Sequence, residues 1–300
     1  MKRKNKSTVI LVIVFLLGLS LLLYPTVSDY WNSFRQSRAI ASYIDTVNQM
    51  DEERYNELLE EARVYNKSLV GNERRLRFDD EEKAEYCSML GANGDAVGYI
   101  EIQSIKVLLP IYLGTTESIL QDGVGAMEGA SLPVGGESTH AVLTGHRGLP
   151  SSKLFTNLDK LAEGDIFYVH VLNETLTYEV DQILIVEPTE MDGLAIEEGK
   201  DYCTLITCTP YGINSHRMLV RGHRIETPAD AIFQNVSADA FQIEPLLVAP
   251  FLAVPVVIAL LIWLMVGGEG KESKRKKAMK AVQVKKKGGS SGDESKKMDH

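Results

Sequence analysis

The sequence predicts a mostly β domain, closed as a barrel or sandwich, carried between two apolar segments of membrane-spanning length. Three observations point there. From Val97 onward, short β-branched or alternating runs bounded by Gly, Pro, Asn and Asp follow one another with only brief helical pieces between them. Thr8–Tyr24 and Pro245–Val266 run for seventeen and twenty-two residues without a charge. The charge is segregated around them. Residues 1–7 carry Lys2, Arg3, Lys4 and Lys6, residues 268–300 are +6, and the overall −9 leaves −19 for the stretch between. An acidic middle lacks the basic footprint that nucleic-acid binding needs. With 300 residues, 44% hydrophobic, 24% charged and only 3 cysteines, collagen-like, largely disordered and disulfide-dense chains are excluded as well.

The elements follow in order. Residues 1–7 form a basic cytoplasmic N-terminus and residues 8–24 a transmembrane signal anchor, oriented by the basic residues that precede it. A cleaved signal peptide is the alternative. The apolar region is long for one, and Pro25-Thr26-Val27-Ser28 is a poor small-x-small cleavage site. Residues 25–95 are an extracellular helical extension and lid. Within it, residues 29–70 are helix-like: Tyr55, Leu58, Leu59, Ala62 and Tyr65 recur at three- and four-residue steps, Asp51 suits an N-cap and Gly71 a stop. Residues 71–95 are polar and aperiodic and predict a loop.

Residues 96–227 make the β domain. Its strands are GYIEIQSIKVLLPIYLG, HAVLTG, DIFYVHVLNETLTYEVDQILIVEP, YCTLITCTP and HRMLVRGHRI, and its short helical pieces are SILQDGVG, SKLFTNLDKLA and AIEEG. Few helices among many short strands imply a mostly antiparallel sheet. Residues 228–244 are a connector and residues 245–266 a second transmembrane helix. Its prolines (Pro245, Pro250, Pro255) are tolerated better in a membrane than in water. Residues 267–300 are a basic, disordered cytoplasmic tail. Both termini are then inside, with about 220 residues outside.

The odd cysteine count singles out one thiol. Cys203 and Cys208, five residues apart on a strand, lie about 16 Å from each other and on opposite faces, so they cannot pair. Cys203 reads as a core residue. Cys208 sits at the strand end before Thr209-Pro210-Tyr211-Gly212, where a reactive thiol can meet substrate. Chain reversal through TPYGINSH brings Arg217 back roughly opposite Cys208. A permanent guanidinium there can favour thiolate, hold a substrate carbonyl or stabilise an oxyanion. Arg221 and His223 share that face farther from the turn, and Arg224 lies on the other; all three read as structural. Among six histidines, His146 follows the strand HAVLT in a loop, whereas His140 and His170 lie within strand patterns. His216 adjoins Arg217 but points to the opposite face. A Cys, a His and an Arg from separate strand ends are what a thiol acyl-transferase needs. No His/Asp/Glu cluster has metal-ligand spacing, so neither a metal nor an organic cofactor is expected.

Thr204-Leu205-Ile206-Thr207-Cys208 resembles the TLxTC signature of sortases, the membrane-anchored cysteine transpeptidases of Gram-positive bacteria. LPVGGESTHAVLTGHRGLPSSKLFTNLDKL and TLITCTPYGINSHRMLVRGHRI resemble class C, the pilin-polymerising branch, over about Val97 to Ile225. The resemblance implies a sortase-type β-barrel with Cys208 as nucleophile, His146 as general acid/base and Arg217 holding the carbonyl oxygen. Thr207 and Thr209, on either side of Cys208, are the implied substrate and oxyanion contacts. It further implies cleavage of an LPxTG-like signal between Thr and Gly, a thioacyl enzyme, and transfer to a lysine amine of another pilin. The implied setting is a Gram-positive cell membrane.

Class C sortases commonly carry an Asp-Pro-aromatic lid motif. Here Phe78-Asp79-Asp80-Glu81 lacks the proline, and the aromatic falls on the wrong side. Phe78, Asp79 and Asp80 are lid candidates, with a solvated acidic loop as the alternative, and Cys87 lies just beyond. Asn235-Val236-Ser237 fits a glycosylation sequon that a Gram-positive setting makes irrelevant. The competing functions are a housekeeping-type sortase using the cell-wall precursor amine, a cysteine protease using water, and a non-enzymatic two-span scaffold or receptor.

Overall fold

A computed structural model describes residues 3–72, 74–229, 231, 233 and 279. The second apolar run, its basic tail and most of the 228–244 connector lie outside the described residues. The chain divides into two units, Tyr24–Phe241 and Met1–Leu23 with Gln242–His300.

Helix α1 (Arg3–Asn48) is continuous through Pro25. Its stretch from Ile10 is long and apolar enough to cross a membrane, and Leu11, Leu17, Leu21 and Leu22 there are exposed. Helix α2 (Glu52–Ser68) starts where Asp51 caps it by accepting from Arg54 N. Gly71, with φ +73°, turns the chain away after it. The α2 stripe Leu58, Leu59 and Ala62 is buried in the main core. Asn66 clips the helix to the barrel through both backbone groups of Leu132 (2.7 and 3.1 Å).

The segment 71–95 is not all loop. Helix α3 (Asp80–Ser88) forms because Asp79 accepts from Glu81 N and Glu82 N while the Glu82 side chain accepts from Asp79 N. This reciprocal capping box satisfies donors that an acidic loop would leave to water.

Eight strands close into a barrel: β1 (Gly98–Ile102), β2 (Val107–Leu113), β3 (Val124–Ala126), β4 (Thr139–Thr144), β5 (Ile166–Val171), β6 (Glu174–Val186), β7 (Asp201–Thr209) and β8 (His216–Ile225). Their order is β1-β2-β3-β4-β7-β8-β6-β5, with β5 returning to β1. Most pairs are antiparallel, but β2–β3 and β4–β7 are parallel. Of the three helical pieces, SILQDGVG contains helix α4 (Glu117–Asp122) and then β3, SKLFTNLDKLA only a 3-10 turn at Leu158–Lys160, and AIEEG none.

Alternation along each strand separates two apolar clusters. Ile100, Leu143, Phe167, Val169, Tyr178, Cys203, Leu205 and Val220 fill the barrel, with the Phe167 and Tyr178 rings stacked at 5.4 Å. Val142, Ile206 and Leu219, from the opposite strand faces, form a second cluster with Ala130, Val186 and Leu194 outside the wall. Arg75 and Leu76 cover part of it. The buried Arg75 guanidinium donates to the carbonyls of Gly129 and Leu194, and Leu76 packs on the cluster.

Candidate active site

Three adjacent strands bring the three singled-out side chains into one row. Cys208 near the end of β7 is register partner to Arg217 on β8. On the other side, Thr144 of β4 pairs in parallel with Ile206, and Gly145 N extends the ladder to Ile206 O (3.0 Å). Carried past the end of β4, that register brings His146 level with Cys208. Neighbouring strands lie about 4.8 Å apart and register partners share a face. His146, Cys208 and Arg217 therefore stand side by side on the outer wall. Cys203, an odd number of residues away, is wholly buried inside the barrel, and burial pushes its thiol well up.

The row is braced from behind. The buried Thr207 donates to Gly145 O (2.8 Å), tying the β4 end to β7. The Phe155 ring packs on Gly145 where a Cβ would come within 2.7 Å of it, and Phe155 N donates to His146 O. The Arg147 side chain, 7% exposed, pairs with Asp159 and donates to Thr209 Oγ1 (3.3 Å). Its guanidinium lies 5.9 Å from the Tyr211 ring. The residue after His146 thus grips the residue after Cys208. The Thr207 and Thr209 side chains are committed to these contacts.

His146 is partly exposed, with Nε2 3.3 Å from Glu117 Oε1. Glu117 is held below the usual carboxylate range, first by the Gln121 amide and then by the His146 charge. Arg217 donates to the carbonyls of Asn214 (3.4 Å) and His216 (3.2 Å) and forms no ion pair among the described residues. One step along the strands, Thr144, Ile206 and Leu219 form the next row. That row floors a cavity of about 180 Å³ walled by Arg217, Thr115, Met127 and, from the β6–β7 connection, Pro188, Met191 and Leu194. An apolar trough thus runs up to the guanidinium.

Three other histidines have partners of their own. His140 is buried between Ala195 O and Thr204 Oγ1, both at 2.7 Å, and His170 stacks on Tyr99. His216 meets Glu187 at 3.3 Å. Arg221 forks onto Asp181 (3.0 and 3.1 Å), and Arg224 reaches Asp201 on the other face. Asp79 is spent on its helix cap and Asp80 lies 3.8 Å from Lys83, while Phe78 is half-buried. Cys87 Sγ lies where a Cβ on Gly114 would stand 2.9 Å away, and its thiol is raised by burial and by Glu128. Among the described residues, no cluster of His, Cys, Asp and Glu could hold a metal ion.

Glu117, Arg147 and the apolar trough carry no motif and were missed from sequence. Glu117 lies just ahead of the helical piece SILQDGVG, but only the placing of β3 beside β4 reveals which histidine it faces.

A thiol, an imidazole and a guanidinium without an ion pair among the described residues, in a row across a β-barrel wall, are a set suited to cysteine acyl transfer. The Sortase domain model matches residues 100–225. Sortase C1 from Streptococcus agalactiae is 48% identical, with TM-score 0.60, covering 64% of this chain and 100% of its own. Sortase C from Streptococcus pneumoniae, solved with attention to catalysis and pilin substrate specificity, is 49% identical, with TM-score 0.58 over 65% and 100%. Sortase C from Clostridium perfringens, solved with the C-terminal cell wall sorting motif, is 46% identical, with TM-score 0.56 over 63% and 98%. The chain belongs to the sortase family of cysteine transpeptidases, and its solved relatives place it with class C.

Proposed function

We propose that the chain is a pilin-polymerising transpeptidase that cleaves an LPxTG-like signal between Thr and Gly and passes the new acyl end to a lysine amine of another pilin. The observation that carries this reading is the row His146–Cys208–Arg217 beside an apolar trough. The trough suits the Leu-Pro side of such a signal, and Arg217 at its end suits the Thr carbonyl oxygen. The pneumococcal and clostridial relatives, described with pilin specificity and with a sorting motif, support the same substrate class.

The chemistry assigns one role to each group. The Cys208 thiolate attacks the Thr carbonyl carbon, and charge gathers on an oxygen held by Arg217. The C–N bond breaks as the His146 imidazolium gives its proton to the departing glycine amine. The lysine amine then attacks the thioester carbon, neutral His146 takes the amine proton, and the Cys208 thiolate leaves to complete the cycle. The Thr207 hydroxyl holds the Gly145 carbonyl and the Thr209 hydroxyl accepts from Arg147, so these residues serve substrate through backbone and placement.

The enzyme works at the outer face of the cell membrane. The apolar start of α1 is its anchor, residues 245–266 a second span, and both basic ends are cytoplasmic. Segment 71–95, docked through Arg75 and Leu76, covers the wall near the trough in place of an Asp-Pro-aromatic lid. The test is expression of Cys208→Ala in the native host lacking other sortases. Loss of the covalent, SDS-resistant pilin ladder is expected. An intact ladder contradicts the proposal, and loss of wall attachment with intact polymers assigns a housekeeping role instead.

A further inference from the structure

We propose that Glu117 is a positioning residue for the His146 imidazole; this rests on the reading of His146 as the acid/base. The Nε2 edge of His146 is closed to solvent and makes no aligned hydrogen bond among the described residues. The carboxylate that faces it is Glu117, at 3.3 Å. Closing Nε2 against a carboxylate leaves Nδ1 as the nitrogen that exchanges protons with substrate. In the imidazolium both nitrogens are donors, so Nε2–H can point at Glu117 while Nδ1–H serves the leaving amine.

Glu117 is itself held in place. Gln121, one turn later on α4, donates to its Oε1 at 3.1 Å. Thr115, two residues before it, gives both its backbone N–H (3.0 Å) and its hydroxyl (2.8 Å) to the Glu128 carboxylate. The start of α4 is therefore pinned to the turn after β3, and β3 lies beside the β4 strand that ends at His146. The lowered affinity of Glu117 for protons agrees with a carboxylate that stays charged through the working range. It is 68% exposed, so water screens the contact and its effect is orientation, worth up to about fivefold in rate.

The test uses the full-length chain in detergent micelles, with cleavage of a labelled LPxTG peptide followed at steady state. Glu117→Ala should lower kcat about fivefold at unchanged KM and unchanged melting temperature. Glu117→Gln, which keeps an acceptor for Nε2–H, should recover most of the loss. Acetate added to Glu117→Ala should restore kcat, whereas chloride at equal ionic strength should not. Unchanged kcat in Glu117→Ala, beside an inactive His146→Ala, overturns this inference and leaves the acid/base reading standing. A loss of kcat that neither Gln nor acetate repairs makes Glu117 merely structural and also overturns it. An active His146→Ala overturns the reading beneath it.

Discussion

Thr207 and Arg147 illustrate how buried polar side chains fix the chain on either side of Cys208 and His146. Thr207 lies one residue before Cys208, and its hydroxyl ends on the carbonyl one residue before His146. Thr207→Val keeps shape and removes the donor, leaving a buried carbonyl short of a partner, at a cost of about 1–3 kcal/mol. Lower kcat at near-normal KM, with a lower melting temperature, is the expected result for peptide cleavage. Arg147 ties the two loops from the other side. Arg147→Gln should destabilise by a comparable amount, through loss of the Asp159 pair and of the Thr209 contact. Thermal unfolding beside steady-state kinetics checks both, and a variant that lowers neither stability nor kcat contradicts the bracing role.

At the scale of elements, the parallel pairing of β4 with β7 decides the site. Gly145, just past β4, has no room for a side chain because the Phe155 ring lies on it. Gly145→Ala must displace either that ring or the backbone leading to His146, at about 1–3 kcal/mol. Phe155→Leu in the Gly145→Ala background should recover part of the stability and activity, and failure of that pair to couple would contradict the contact. Apart from β3, which begins inside the helical piece SILQDGVG, the strands were legible in sequence because β-branched alternation and turn residues mark them locally. Cys208 opposite Arg217 was legible too, since a hairpin is a local event. That β4 lies beside β7 was not legible, because parallel neighbours are joined by distant chain and leave no local mark. Helix α3 was hidden behind its charge: Asp79 to Glu82 looks like a solvated loop until Asp79 and Glu82 are recognised as a capping box. Ala195–Gly199 failed as a helix where the Ala195 carbonyl is taken by His140.

For the whole molecule, burial of two histidines couples the fold to pH. Desolvation lowers His140 to about 4 against a backbone hydrogen bond that opposes it, and lowers His170 to about 4 as well. Below about pH 6.5 the unfolded chain takes up protons that the folded barrel refuses, so stability falls from about pH 6.5 down to about 4. Above that window the contribution is constant, and below it these two groups add no further loss. Each is worth on the order of 3 kcal/mol across the window, while Asp201, raised by burial, works in the opposite direction. Urea midpoints of the full-length protein should drop across this interval, less steeply in His170→Gln; a flat profile would contradict the assignment. On the proposed reading, the acidic stretch of −19 between basic ends favours encounter with a lysine-bearing acceptor. Polymerisation should therefore slow with added salt, and a salt-independent rate would count against that attraction.

The central claim is that acyl transfer passes through the Cys208 thiol, activated within its row. Mass spectrometry of the full-length enzyme quenched in acid during turnover of an LPxTG peptide tests it most directly. The account predicts the peptide's acyl fragment, ending in Thr, as a hydroxylamine-labile adduct on Cys208, absent from Cys208→Ala and never on Cys87 or Cys203. Turnover by Cys208→Ala, or an adduct on any other residue, would contradict it.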